Sequence, residues 1–377
     1  MIPLSAPNLS GNEWKYIKEC LDTNWVSSVG SYVTAFENCI AKYTGAKYAV
    51  ATSNGTSALH IALLLAGVKE KDLVIVPNIT FIASANSIAY CQAEPLLVDV
   101  DRKNWQMDLN LLHEFLSGET RSKNGQCIYK KTGQRIKAIM PVHVLGNIGD
   151  MDLLRSIAIK FHLEIVEDAT EALGSFYKKK HSGTLGKFGC FSFNGNKIIT
   201  TGGGGMIVTN DKKLALKAKH LTTQAKSDPF EYIHDETGYN YRLVNILAAM
   251  GVAQMEQFEK FLSRKVQIKK FYDSRLKNIS GIEFQEVGKN IQPNNWLYTV
   301  SHPLKTKILK FLNSHEVQSR PLWVPMNRLP MFRKNLFVSR KDISGALYAN
   351  CFSLPCSTGI TDQELEKVCS MLTNFLK

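Results

Sequence analysis

At 377 residues, 44% of them apolar, the chain has the length for one large domain and a smaller companion, and can bury a sizeable core. No stretch reaches the roughly 18 uncharged apolar residues of a membrane span. The N-terminus lacks the regions of a signal peptide, and the eight scattered cysteines form neither CxxC pairs nor groups at metal-ligand spacing, so a cytoplasmic, metal-free protein with free thiols is expected. The net charge of +13 suits an anionic partner, but the basic residues fall in small groups such as KKKH (178–181) with no nucleic-acid motif, which leaves a solvated basic surface or an anionic substrate.

In chain order, YAVATS (48–53) reads as a strand. The nearly all-apolar GTSALHIALLLAGV reads as a buried helix that starts at the strand's end. LVIVP (73–77), PLLVDVD (95–101), IKAIMPV (136–142) and LEIVEDA (163–169) are further short strands. None alternates as a half-exposed strand would, which predicts a mainly parallel sheet covered on both faces. Asp108 is a candidate N-cap for LNLLHEFL, and Asp150 or Asp152 for the helix ending near His162. Between 117 and 136 the pattern lapses, and KNGQ and KTGQ around CIY predict an inserted surface hairpin. CFSFNG and GGMIVT are two more strands, with Lys197 between them. From Arg242 a long helical periodicity predicts one long helix or two consecutive ones. Beyond about Ile282 the strands are shorter and more polar, which predicts a small α+β domain. The expected division is a large domain over 1–255 and a small one over 256–377.

Asp168 falls at the carboxyl end of a buried strand, where ligands gather in parallel α/β sheets, although a helix cap fits the same position. Gly55, Thr56 and Ser57 stand at a strand-to-helix junction whose N–H groups and hydroxyls suit an anion; capping explains them equally well. In FSFNGNKIITTGGGG (191–205) the glycines follow Lys197, so the order is not GxxxxGK[ST], and no GxGxxG opens a helix after a strand. The glycines are expected to turn the backbone tightly into GMIVT. A lysine held between rigid strands is the way to build a fixed amine.

A small-residue turn, then an Asp at a strand end, then Ser-x-x-x-x-Lys resembles the order in fold-type I pyridoxal 5′-phosphate (PLP) enzymes. More closely, SNGTSALHIAL, NITFIAS, PVHVLGN, EDATEALGS, SFNGNKIITTGGGGM, GYNYRLVNILAAMGVAQME and SRPLW, in order along nearly the whole chain, resemble the DegT/StrS family of nucleotide-sugar aminotransferases. The resemblance implies a large domain built on a mainly parallel seven-stranded sheet. It implies that Lys197 bonds PLP and then moves the proton between substrate and cofactor. Asp168 would pair with the pyridinium nitrogen. Ser192 would hold the cofactor phosphate with Gly55, Thr56 and Ser57. Glu171 would lie near the phenolic oxygen, a position often Gln or His in the family, and Phe81 would stack on the ring. Asn240 would reach the phosphate of a neighbouring subunit, implying a homodimer with shared sites. On the substrate side stand Trp25 and Ser28 in NWVSSVGSY, Arg242, and Arg320, which would pair with a diphosphate unless it forms a surface ion pair. Where the family often has His after RPLW this chain has Asn327, which weakens any role carried over to that position.

The implied reaction moves an amino group from L-glutamate, leaving 2-oxoglutarate, to C4 of a nucleotide-linked 4-keto-6-deoxyhexose for surface glycan synthesis. Pyridoxamine 5′-phosphate would be the aminated cofactor. CIYKKTGQRIKAI and SGNEWKYIKECLDTNWVSSVGSYV are most like the branch acting on UDP-2-acetamido-4-keto-2,6-dideoxyglucose. GDP-4-keto-6-deoxymannose is the alternative, and NWQMD (104–108) fits it. The family's dehydratases carry His in place of the lysine, so Lys197 argues against that chemistry. A regulator on the same fold is more remote, because no helix-turn-helix motif is apparent.

Overall fold

The apolar runs become strands buried on both sides. The computed structural model describes residues 1–228 and 230–376. Its strands begin with β1 (Tyr48–Thr52), β2 (Leu73–Pro77) and β3 (Glu94–Val98), followed by the hairpin β4 (Thr120–Lys123) and β5 (Gln126–Tyr129). Next come β6 (Arg135–Ile139), β7 (Glu164–Asp168), the short β8 (Phe176–Tyr177) and β9 (Lys180–His181), then β10 (Phe188–Ser192) and β11 (Gly205–Thr209). Seven of these lie in the order β1-β11-β10-β7-β6-β2-β3. The run from β10 to β3 is parallel, and β11 is antiparallel to both its neighbours. Along β2, Val74 and Val76 join one apolar cluster while Leu73 and Ile75 join the other. Both faces of the sheet are covered, so alternation has nothing to mark.

Local sequence sets the helix starts. Asn54 accepts from the Ser57 N–H and caps Gly55–Leu65, and Asp108 caps Leu109–Glu119. Asp150 rather than Asp152 caps Met151–Lys160. The long helical stretch is two helices, Asn245–Glu256 and Phe258–Leu276, broken at Gln257. The inserted hairpin pairs β5 with β6 at Cys127 and Ile136, next to the amino end of β6. Within β7, the buried Glu167 carboxylate accepts from Gly183, Leu185 and Gly186 N–H groups and bonds His143 at 2.9 Å, which fixes the carboxyl end of the strand.

A second, antiparallel sheet joins Glu283–Phe284, Tyr298–Ser301, Cys351–Leu354 and Arg320–Pro321 over its own apolar cluster. This is the expected small α+β unit. Two segments cross the 255/256 division. Near the N-terminus Ile2 bridges to Val317. Near the other end Phe337–Val338 extends the large sheet, parallel to β3. Just past β3, the buried Asp99 carboxylate accepts from Ile343 and Ser344 N–H groups and from the Ser339 hydroxyl. Asn78, after β2, exchanges hydrogen bonds with Asn327 at 3.0 and 2.9 Å. The segment carrying Trp323 and Asn327 is thereby held at the carboxyl end of β2.

Candidate active site

The site gathers at the carboxyl ends of β1, β7 and β10. β7 ends in Asp168, which is 2% exposed. One of its oxygens accepts from the Thr170 N–H and hydroxyl at 3.1 and 2.7 Å, and the other from the Ser84 hydroxyl at 2.6 Å. Three donors therefore fix the carboxylate's direction. A short turn later, Glu171 is also buried and accepts from the Leu145 N–H at 2.8 Å. Leu145 is held at φ 61, a left-handed conformation that a branched side chain rarely adopts, so the loop is aimed at the carboxylate at a cost.

Lys197 leaves β10 through a turn in which its N–H bonds Asn194 O at 3.0 Å. Burial pushes its amine below the ordinary lysine value, and the charges of Glu171 and Asp168 pull it back up. Burial likewise pushes the Glu171 carboxyl up, to about 7, against the pull of Lys197 and the Leu145 N–H and with a further push from Asp168. The amine lies 3.9 Å from the centroid of the Trp296 ring. After Lys197, Gly202 and Gly204 take positive φ, which lets the chain turn back into β11.

The helix Gly55–Leu65 points its amino end at the same cavity, with Gly55 and Thr56 beside Ser192. A Cβ on Gly55 would come within 2.8 Å of the Ser192 Cβ, so only glycine allows this approach. Ser57 is turned to Ser53 at 3.2 Å, and its N–H is taken by Asn54. Phe81, 54% exposed, lines the cavity with Trp296 and Trp323. The cavity measures about 290 Å³, close to the lower bound of roughly 300–1,000 Å³ for small-molecule pockets. It offers a helix N-terminus and a hydroxyl for a phosphate, an aromatic face, a buried carboxylate below and one amine. These donors and this shape fit PLP.

Other expected residues lie elsewhere. The Arg242 guanidinium is buried against Glu37 at 2.5 Å and the Ala51 carbonyl at 3.2 Å, which braces β1. Arg320 is exposed on the edge strand of the small sheet, bonded to Asn313 and the Ser319 carbonyl. Trp25 and Ser28 are exposed in a turn that Asn245 pins through Trp25 O and Ser27 O. Asn240 is exposed and bridges Thr223. None of these five lines this chain's own cavity. Sequence reading missed Ser84 and Trp296. Ser84 sits in NITFIAS, where a serine among apolar residues carries no distinguishing pattern, and Trp296 sits in a polar run without characteristic spacing.

Among solved structures, a DegT DnrJ EryC1 StrS aminotransferase from Brucella abortus superposes with a TM-score of 0.89 at 23% identity, over 97% of this chain and 95% of that one. The architecture is that of fold-type I PLP enzymes. The sequence profile of the DegT/DnrJ/EryC1/StrS aminotransferase family matches residues 7–373. The chain belongs to that family. As a DegT-family member it is a PLP-dependent sugar aminotransferase. It is 38% identical to a GDP-perosamine synthase of Caulobacter vibrioides, over 100% of this chain and 98% of that one. A GDP-perosamine synthase of Escherichia coli O157:H7 is 36% identical, over 99% of this chain and 98% of that one. No helix among the described residues is long and apolar enough to cross a membrane.

Proposed function

We propose that this DegT-family enzyme transfers the amino group of L-glutamate to C4 of a nucleotide-linked 4-keto-6-deoxyhexose, with GDP-4-keto-6-deoxymannose as the first candidate. The observation that carries amino transfer is the cavity itself, which sets one amine, Lys197, against two buried carboxylates and beside an anion-binding helix end. PLP, when bound, supplies the electron sink. The chain's own groups do the rest. Asp168, aimed by Ser84 and Thr170, would hold a ring nitrogen in its protonated form. Gly55, Thr56 and Ser192 would anchor a phosphate, and Phe81 would cover a ring face. Lys197 would accept and return the proton at Nζ, with Glu171 as the neighbouring proton holder.

Two relatives named GDP-perosamine synthase support the GDP sugar. The inserted hairpin is part of the likeness to the UDP-2-acetamido branch, but β4 and β5 lie by the amino end of β6, at the opposite end of the strands from the cavity. The hairpin therefore does not line this chain's own cavity. The exposed Asn240, Trp25 and Ser28 fit a second copy that completes each site, so we read the working unit as a homodimer.

The deciding experiment is a panel of GDP- and UDP-linked 4-keto-6-deoxy sugars with glutamate, scored by product mass. GDP-4-keto-6-deoxymannose should be aminated with kcat/KM about tenfold or more above the UDP sugar, equivalent to about 1.4 kcal/mol of transition-state discrimination. Preferential amination of the UDP sugar would reverse the choice of nucleotide, and amination of neither would sink the substrate class.

A further inference from the structure

Trp296 is the cavity residue with the most complete support. Its N–H bonds the Asn294 side-chain oxygen at 3.0 Å, and its carbonyl accepts from the buried Lys265 ammonium at 2.7 Å. Its indole N–H donates to the Asn196 carbonyl at 2.7 Å, in the very turn that carries Lys197. Its ring stacks on Trp323, with centroids 6.4 Å apart and planes 13° from parallel. Asn294 is itself tied to the Glu171 and Leu173 carbonyls, both at 2.8 Å. The ring is thus fixed from backbone, edge and face, and Trp296 is only 3% exposed. The Lys197 amine sits 3.9 Å from its centroid, well inside the range in which an indole face attracts a cation.

We propose that Trp296 is a positioning residue for Lys197, its indole face holding the amine as a cation, and so keeping a proton on Nζ, whenever that amine is not bonded to PLP. The proposal rests on the assignment of Lys197 as the reactive amine. Its physical basis is the balance of charges around Nζ. Desolvation disfavours the ammonium, while the Glu171 and Asp168 carboxylates favour it. Glu171 is the other titratable side chain among the described residues lining the cavity, with Asp168 beneath it; Thr170, Ser192, Asn194 and Asn196 are neutral. Since Glu171 is itself pushed towards its neutral form by burial, its help is partial near neutral pH. An aromatic face gives a cation a partner that cannot take its proton. It would hold the amine protonated and pointing into the cavity, ready to return the proton, without the ion-pair lock that a second permanent carboxylate would impose.

Competitive acetylation tests this. Full-length protein stripped of PLP is trace-labelled with acetic anhydride across a pH series, and the Lys197 peptide is quantified by mass spectrometry against the other lysines. Trp296→Leu keeps apolar bulk but removes the ring, so the ammonium loses its partner and the Lys197 midpoint should fall by about one pH unit. That is a roughly tenfold gain in reactivity below both midpoints. Trp296→Phe, with a smaller ring, should fall between wild type and Trp296→Leu. A midpoint that stays put or rises in either folded variant overturns the proposal; if Trp296→Leu does not fold, Trp296→Phe decides alone. The assignment of Lys197 is checked separately by borohydride fixation of PLP in the wild type. Loss of that fixation would remove the assignment, whereas normal fixation with an unmoved acetylation midpoint would remove only the role of Trp296.

Discussion

Glu171 and Lys197 compete for protons in one buried setting. The Glu171 carboxyl is pushed from an ordinary 4.5 up to about 7, chiefly by burial. Because its folded value is raised, its contribution to stability is complete below about pH 4.5 and is lost as pH rises through about 7. Glu171→Gln keeps an acceptor for the Leu145 N–H but cannot ionise. In PLP-free protein, the variant should therefore gain on wild type between pH 5 and pH 8, by on the order of 1–3 kcal/mol, read by denaturant unfolding at the two pH values. An equal difference at both would contradict the buried, proton-holding Glu171. At this scale the sequence, through motif spacing, made legible which residues lie together: Lys197, Ser192, Gly55, Thr56 and Phe81 line one cavity, and Asp168 bonds Thr170 at its wall. It left Arg242 looking like a free cation because its partner, Glu37, is 205 positions away. It hid Trp296 because nothing in NNWLYTV says which atoms that ring will face.

Elements were more legible than side chains, for a physical reason. A strand covered on both faces must be apolar throughout, and a helix following it must start with groups that satisfy its N–H donors. Both rules leave local marks, such as LVIVP for β2 and Asn54 ahead of Gly55. The addition of Phe337–Val338 to the large sheet left none, since two residues carry no period. That crossing is held by long-range polar contacts, with Asp99 bonding Ser339, Ile343 and Ser344. A carboxylate at a strand end reads in sequence as a local cap. Here it fastens the chain from Ser339 to Ser344, some 240 positions further along, beside the strand that Phe337–Val338 adds to the large sheet.

At the scale of the whole molecule, the fold class and its mainly parallel sheet could be read from the order of strands and motifs, but completeness of the site could not. Asn240 does not line its own chain's cavity, and in the homodimer proposed above it would serve the partner's site instead. Mixed dimers of Lys197→Ala and Asn240→Ala should recover one intact site, although each variant alone is impaired, because one lesion-free pair of residues forms per heterodimer. No recovery on mixing would place Asn240 in its own chain's service or in none. All of this depends on one amine. The most direct test is to add PLP to the full-length protein, reduce with borohydride and locate the label by mass spectrometry. The account predicts a yellow protein that bleaches on reduction, with the pyridoxyl group on Lys197. A protein that stays colourless with PLP, or a label on another lysine, would contradict it.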